Sequence, residues 1–107
     1  MANVLAVLEQ RGGALKKVSH EVLTAARRVA DGLGGEVHAL VIGGAGLAAR
    51  DAGAYGADRV LIAAHDTLAQ YQADRYAAVT AAQAGAGGYA VVVLSATAMG
   101  KDLGPRI

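Results

Sequence analysis

The chain has 107 residues, 54% of them hydrophobic, and its 10 Lys and Arg against 9 Asp and Glu leave a net charge of +1; that length holds one domain with a modest core. The balanced charge gives no electrostatic footprint for nucleic acid, so Lys16-Lys17 and Arg27-Arg28 read as solvated helix and loop charges. The absence of cysteine excludes disulfides, thiolate nucleophiles and cysteine-ligated metals within the chain, and with no run near the roughly 20 apolar residues of a membrane helix and no leader pattern in Met1 to Leu8, a cytoplasmic protein without membrane insertion is expected.

Val4 to Leu8 is a continuous apolar run of strand length, and Glu9-Gln10-Arg11-Gly12-Gly13 after it has turn composition. Ser19 is placed to cap a helix whose apolar positions Val22, Leu23, Ala26, Val29, Ala30 and Leu33 recur at three-and-four spacing, with Gly34-Gly35 as its stop. Val37 to Ile42 reads as a second strand, followed by Gly43-Gly44-Ala45-Gly46 and a short Ala-rich helix to about Ala54. Tyr55-Gly56-Ala57-Asp58 is a helix stop and Arg59 to Ala64 a third strand. A helix from about Asp74 through Ala84 then ends at Gly85 to Gly88, Tyr89 to Leu94 forms strand four, and another helix begins near Gly100. Short apolar strands alternating with amphipathic helices predict an α/β domain, an open parallel sheet with helices on both faces in a Rossmann-like three-layer sandwich of the adenine-nucleotide alpha-hydrolase type. With Phe and Trp absent and Tyr55, Tyr71, Tyr76 and Tyr89 the only aromatics, close packing of Ala, Val and Leu must replace bulk in the core.

Two segments have the composition of ligand sites. Gly44-Ala45-Gly46-Leu47-Ala48-Ala49 satisfies the loose dinucleotide pattern, with Asp66 about 20 residues further on, but it follows the second strand and glycine serves any tight turn. Ser95, Thr97, Gly100 and Lys101 combine hydroxyls, a glycine turn and a cation, which suits a phosphate but equally begins an ordinary helix. With the strand order 3-2-1-4-5 common to this fold class, Gln10 to Gly12 and Ser95 to Gly100 would line one crevice at a topological switch point. A P-loop is excluded, His20, His38 and His65 lack paired metal-ligand spacing, and no Ser-His-Asp set is recognisable among the scattered Asp51, Asp58, Asp66 and Asp74. No catalytic constellation is expected.

The opening Val4-Leu5-Ala6-Val7-Leu8-Glu9-Gln10, with Gly13-Ala14-Leu15 and Ser19 to Arg27, resembles the start of electron transfer flavoprotein α subunits. Gly35 to Gly43, Tyr55-Gly56-Ala57-Asp58-Arg59-Val60-Leu61 and Ser95 to Arg106 agree with the same family, in its order and over nearly the whole chain. The resemblance implies a heterodimeric carrier that takes electrons from flavin dehydrogenases, such as acyl-CoA dehydrogenases, and delivers them to a quinone oxidoreductase. It further implies that FAD is held mainly by a second, C-terminal domain absent from residues 1–107, and AMP by the β subunit. This chain would then be the N-terminal scaffold that packs against β, cut off inside a helix and prone to self-association through uncovered surface. A stand-alone ATP- or AMP-binding module resembling universal stress proteins would use Ser95, Thr97, Gly100 and Lys101 as its cofactor site, but needs further glycine and hydroxyl residues for which no room remains before Ile107. A small NAD oxidoreductase built on Gly44, Gly46 and Asp66 lacks a substrate domain.

Overall fold

A computed structural model describes residues 2–11, 14–44, 56–65, 68, 71–95 and 97–106. Four parallel strands form the sheet: β1 (Val4–Leu8), β4 (Val37–Gly43), β5 (Arg59–Ala64) and β6 (Val91–Val93). Their order is β5-β4-β1-β6, the 3-2-1-4 portion of the expected arrangement. The register sets Val4 against Val37 on one side and against Val91 on the other. A small antiparallel hairpin, β2 (Gln10–Arg11) with β3 (Ala14–Leu15), stands where the sequence reads as a plain turn.

Alternation along the strands divides the core into two layers. Val4, Ala6 and Leu8 of β1, with Val37, Ala39 and Val41 of β4, pack beneath α1 (Lys17–Leu33), which presents Val22, Leu23, Ala26 and Ala30. The alanines let the helix backbone sit close to the valine-rich sheet. Leu5, Val7, Leu40 and Ile42 face the other way, against Tyr76 and Ala77 of α2 (Ala73–Gly87) and Leu103 of α3 (Ala98–Leu103). Because both faces of β1 and β4 are covered, β1 is apolar throughout and β4 is apolar apart from His38. A 3₁₀ turn, Gly104–Arg106, follows α3.

Several boundaries differ from the sequence reading. Helix α1 starts two residues before Ser19, with Lys16 in the cap position, and Ser19 is a buried residue of the first turn. Val29 and Leu33 lie outside the buried stripe and are exposed. Gly34 ends the helix as expected, at φ 71° with its N–H bonded to the Ala30 carbonyl. Strand four is confined to Val91–Val93, and α3 begins at Ala98 rather than near Gly100. The Ala-rich segment 45–55 and Asp66 lie outside the described residues. Among the described residues β5 and β6 are the outer strands of the sheet, and Ile62 on β5 is 52% exposed.

Candidate functional site

Strands β1 and β6 run side by side, so Glu9, just beyond β1, and Ser95, just beyond β6, arrive at the same end of the sheet. From there the chain leaves β1 toward α1 on one face and β6 toward α3 on the other, which makes this gap a topological switch point. The hairpin returns the chain to β1, and the Lys16 N–H donates to the Glu9 carbonyl at 2.9 Å. Ser19 completes the anchor: its hydroxyl donates to the Glu9 carbonyl at 2.8 Å and accepts from the Glu9 N–H at 2.9 Å. The Glu9 backbone is therefore fixed from the first turn of α1.

That backbone places a carboxylate, 3% exposed, between the two strand ends. Its Oε1 accepts from Lys16 Nζ at 3.1 Å, and its Oε2 accepts from the hydroxyls of both Ser95 and Thr97. Burial works against ionisation of Glu9, but the Ser95, Thr97 and Lys16 hydrogen bonds and the ammonium charge outweigh it, holding the carboxyl below its usual range. Thr97 also caps α3 by accepting from the Gly100 N–H at 3.1 Å. Gly100 is required there for space, because a Cβ at this position would run into the Ser95 carbonyl oxygen.

Of the four residues that the sequence offers as a phosphate site, Ser95, Thr97 and Gly100 are brought together, while Lys101 is exposed on α3 and the ammonium that reaches the cluster belongs to Lys16. Glu9 is the residue that sequence reasoning missed. Its signal was an acidic side chain immediately after the first strand, read as part of a turn.

A second polar hub lies at the opposite end of the sheet. Arg27 donates to Asp58 Oδ2 at 2.7 Å, to Asp31 Oδ1 at 3.0 Å and to the Gly35 carbonyl at 3.1 Å. Asp58 Oδ2 also accepts the Val37 N–H at 2.8 Å, tying the start of β5 to the start of β4. The Val37 N–H foremost, then the Arg27 guanidinium, holds the Asp58 carboxyl below its usual range, and Asp58 in turn raises the Arg27 pKa. Arg27 is thus a structural clamp rather than a solvated charge. His38 sits at this end too, its Nδ1 2.6 Å from the Tyr89 hydroxyl and its Nε2 3.0 Å from Glu36 Oε1.

Among the described residues no group of three or more His, Cys, Asp or Glu side chains could hold a metal ion. An apolar groove of about 430 Å³ opens between β5 and α2, lined by Leu61, Ala63, Val79 and Ala86, with Gln83 its one polar side chain among the described residues. The groove has almost no donors, and Glu9 sets a negative charge among those at the switch point.

The model of the electron transfer flavoprotein domain matches residues 4–107. The chain belongs to the electron transfer flavoprotein family. It is 41% identical over 99 residues to protein FixB of Clostridium saccharobutylicum, covering 92% of this chain and 30% of that protein. It is 38% identical over 110 residues to the electron transfer flavoprotein subunit alpha of Mycobacterium leprae, covering 100% of this chain and 33% of the relative. A 34% identity over 99 residues relates it to the acryloyl-CoA reductase electron transfer subunit beta of Anaerotignum propionicum, covering 92% of this chain and 27% of that subunit. The chain therefore spans about a third of the length of the curated relatives it matches. The segments that carry the resemblance to the electron transfer flavoprotein family hold Glu9, Ser19, Arg27, Asp58, Ser95, Thr97 and Gly100 of the two polar hubs, whereas Lys16 and Asp31 lie outside those segments.

Proposed function

We propose that these 107 residues are the N-terminal α/β domain of an electron transfer flavoprotein α-type subunit, serving as a scaffold that binds a β-type partner subunit. The observation that carries this reading is the family match over residues 4–107. In the assembled carrier, electrons would pass from flavin dehydrogenases, those of acyl-CoA oxidation among them, to the quinone pool. FAD would be held by the remainder of the subunit, and this domain would contribute no catalytic group. Two features support a scaffold: the hydroxyls at the switch point are engaged by a carboxylate of the same chain, and the polar hubs join elements of the fold to one another. Among the described residues no helix is long and apolar enough to cross a membrane.

The test is to co-express the chain with the β subunit of its own organism and to follow both by size-exclusion chromatography and visible absorbance. Co-elution at a fixed ratio, with no flavin absorbance in the chain purified alone, is the expected result. Yellow protein with stoichiometric FAD would overturn the allocation of the cofactor, and separate elution would overturn the scaffold role.

A further inference from the structure

The donors around Glu9 form a set that selects an oxyanion. One ammonium and two hydroxyls converge on a single carboxylate, and they come from two segments of chain that meet only in the folded sheet. Each hydroxyl has one proton. Both protons are directed at Glu9 Oε2, so the 3.1 Å approach of Ser95 Oγ to Thr97 Oγ1 carries no separate hydrogen bond. Thr97 has already accepted the Gly100 N–H, which fixes its rotor toward Glu9. The carboxylate in turn cannot swing aside with its backbone, because Ser19 and Lys16 hold both the Glu9 N–H and carbonyl. All of this lies at the switch point, where open α/β sheets receive their ligands.

We propose that Glu9 is an internal ligand: its carboxylate fills an oxyanion niche made by Lys16, Ser95 and Thr97 and so closes the switch point to the phosphate of a nucleotide. A phosphate could reach those three donors only by displacing a buried carboxylate, and otherwise would meet its charge at contact distance. The resemblance of this segment to a phosphate loop and its engagement within the chain then have one cause, a niche of the right chemistry with a resident side chain.

Glu9→Ala removes an acetate-sized piece of the side chain and leaves the donors in place. The melting temperature of this variant is expected to rise by several degrees in acetate relative to chloride at equal ionic strength, as free anion binds the vacated niche. The unaltered chain and Glu9→Gln, which keep the niche filled, should melt alike in both salts. Adding Lys16→Gln to Glu9→Ala should abolish the acetate response. Equal melting of Glu9→Ala in the two salts would overturn the proposal. Should that variant not fold, amide chemical shifts of the unaltered chain titrated with inorganic phosphate and with AMP decide the matter. Unmoved Ser95 and Thr97 signals support an occupied niche, and saturable shifts there refute it. These readouts concern the domain alone, so they fail or succeed independently of complex formation with a β subunit.

Discussion

Asp58 offers a direct measure of what holds the amino end of the sheet, because its two partners can be removed separately. Val37 is fully buried, and its N–H has Asp58 Oδ2 as acceptor at 2.8 Å. Asp58→Ala leaves that donor without its acceptor, at a cost of about 1–3 kcal/mol. The ion pair with Arg27 is worth less: Asp58 is 39% and Arg27 30% exposed, and pairs so open to solvent contribute about 0.2–1 kcal/mol. Asp58→Asn retains a carbonyl oxygen for Val37 and loses only the charge, and Arg27 keeps Asp31 and the Gly35 carbonyl. Thermal and urea unfolding should therefore show Asp58→Ala melting roughly 10 °C below the parent chain and Asp58→Asn only about 3 °C below it. The sign of the pH dependence follows from the depressed folded pKa of Asp58. Its stabilisation is fully present above the unfolded carboxyl value of about 3.9 and is lost as pH falls through the lower folded value, so the gap between parent and Asp58→Asn should close in acid. Equal destabilisation by Ala and Asn, or a gap between the parent chain and Asp58→Ala that vanishes at high salt, would show that the charge pair dominates and refute the ranking.

Two further substitutions probe the carboxyl end. Ser19→Ala removes the partner of the Glu9 N–H inside the fold, while Lys16 N–H still serves the Glu9 carbonyl, so denaturant unfolding should register a loss of about 1–3 kcal/mol. Gly100→Ala should destabilise, although alanine normally favours a helix by about 1 kcal/mol, because its methyl meets the Ser95 carbonyl. Gly85→Ala in α2, with nothing within 4 Å of the added carbon, should instead raise the melting temperature by a few degrees. A shared sign for the two glycine variants would refute the steric argument.

The strands were legible as short apolar runs: β1, covered on both faces, is apolar throughout, and β5, an outer strand that opens on the exposed Arg59, still has the bounds that its composition indicates. The order of the sheet followed from the fold class rather than from any residue. Ser19 misled because a hydroxyl before an apolar stripe normally caps locally, whereas its partner is the Glu9 backbone, ten residues earlier. Strand four was overextended because Tyr89 and Leu94 are apolar for another reason: both pack in the layer beneath α2, and Tyr89 turns its hydroxyl to His38. Glu9 stayed hidden for the same physical reason. A carboxylate is buried only where donors neutralise it, and two of its three donors lie 86 and 88 residues along the chain.

Each end of the sheet is closed by a carboxylate that bonds across adjacent elements, Asp58 between β5, β4 and α1, and Glu9 between β1, β6 and the hairpin. A core without Phe or Trp buries little area per side chain, so polar cross-links between strand ends have more of the specificity to supply than they would beneath a bulkier core. This accounts for the polar residues at these strand ends. Glu9, Ser19, Asp58, Ser95 and Thr97 have the composition of an active site, and the structure uses each of them to fix one element against another.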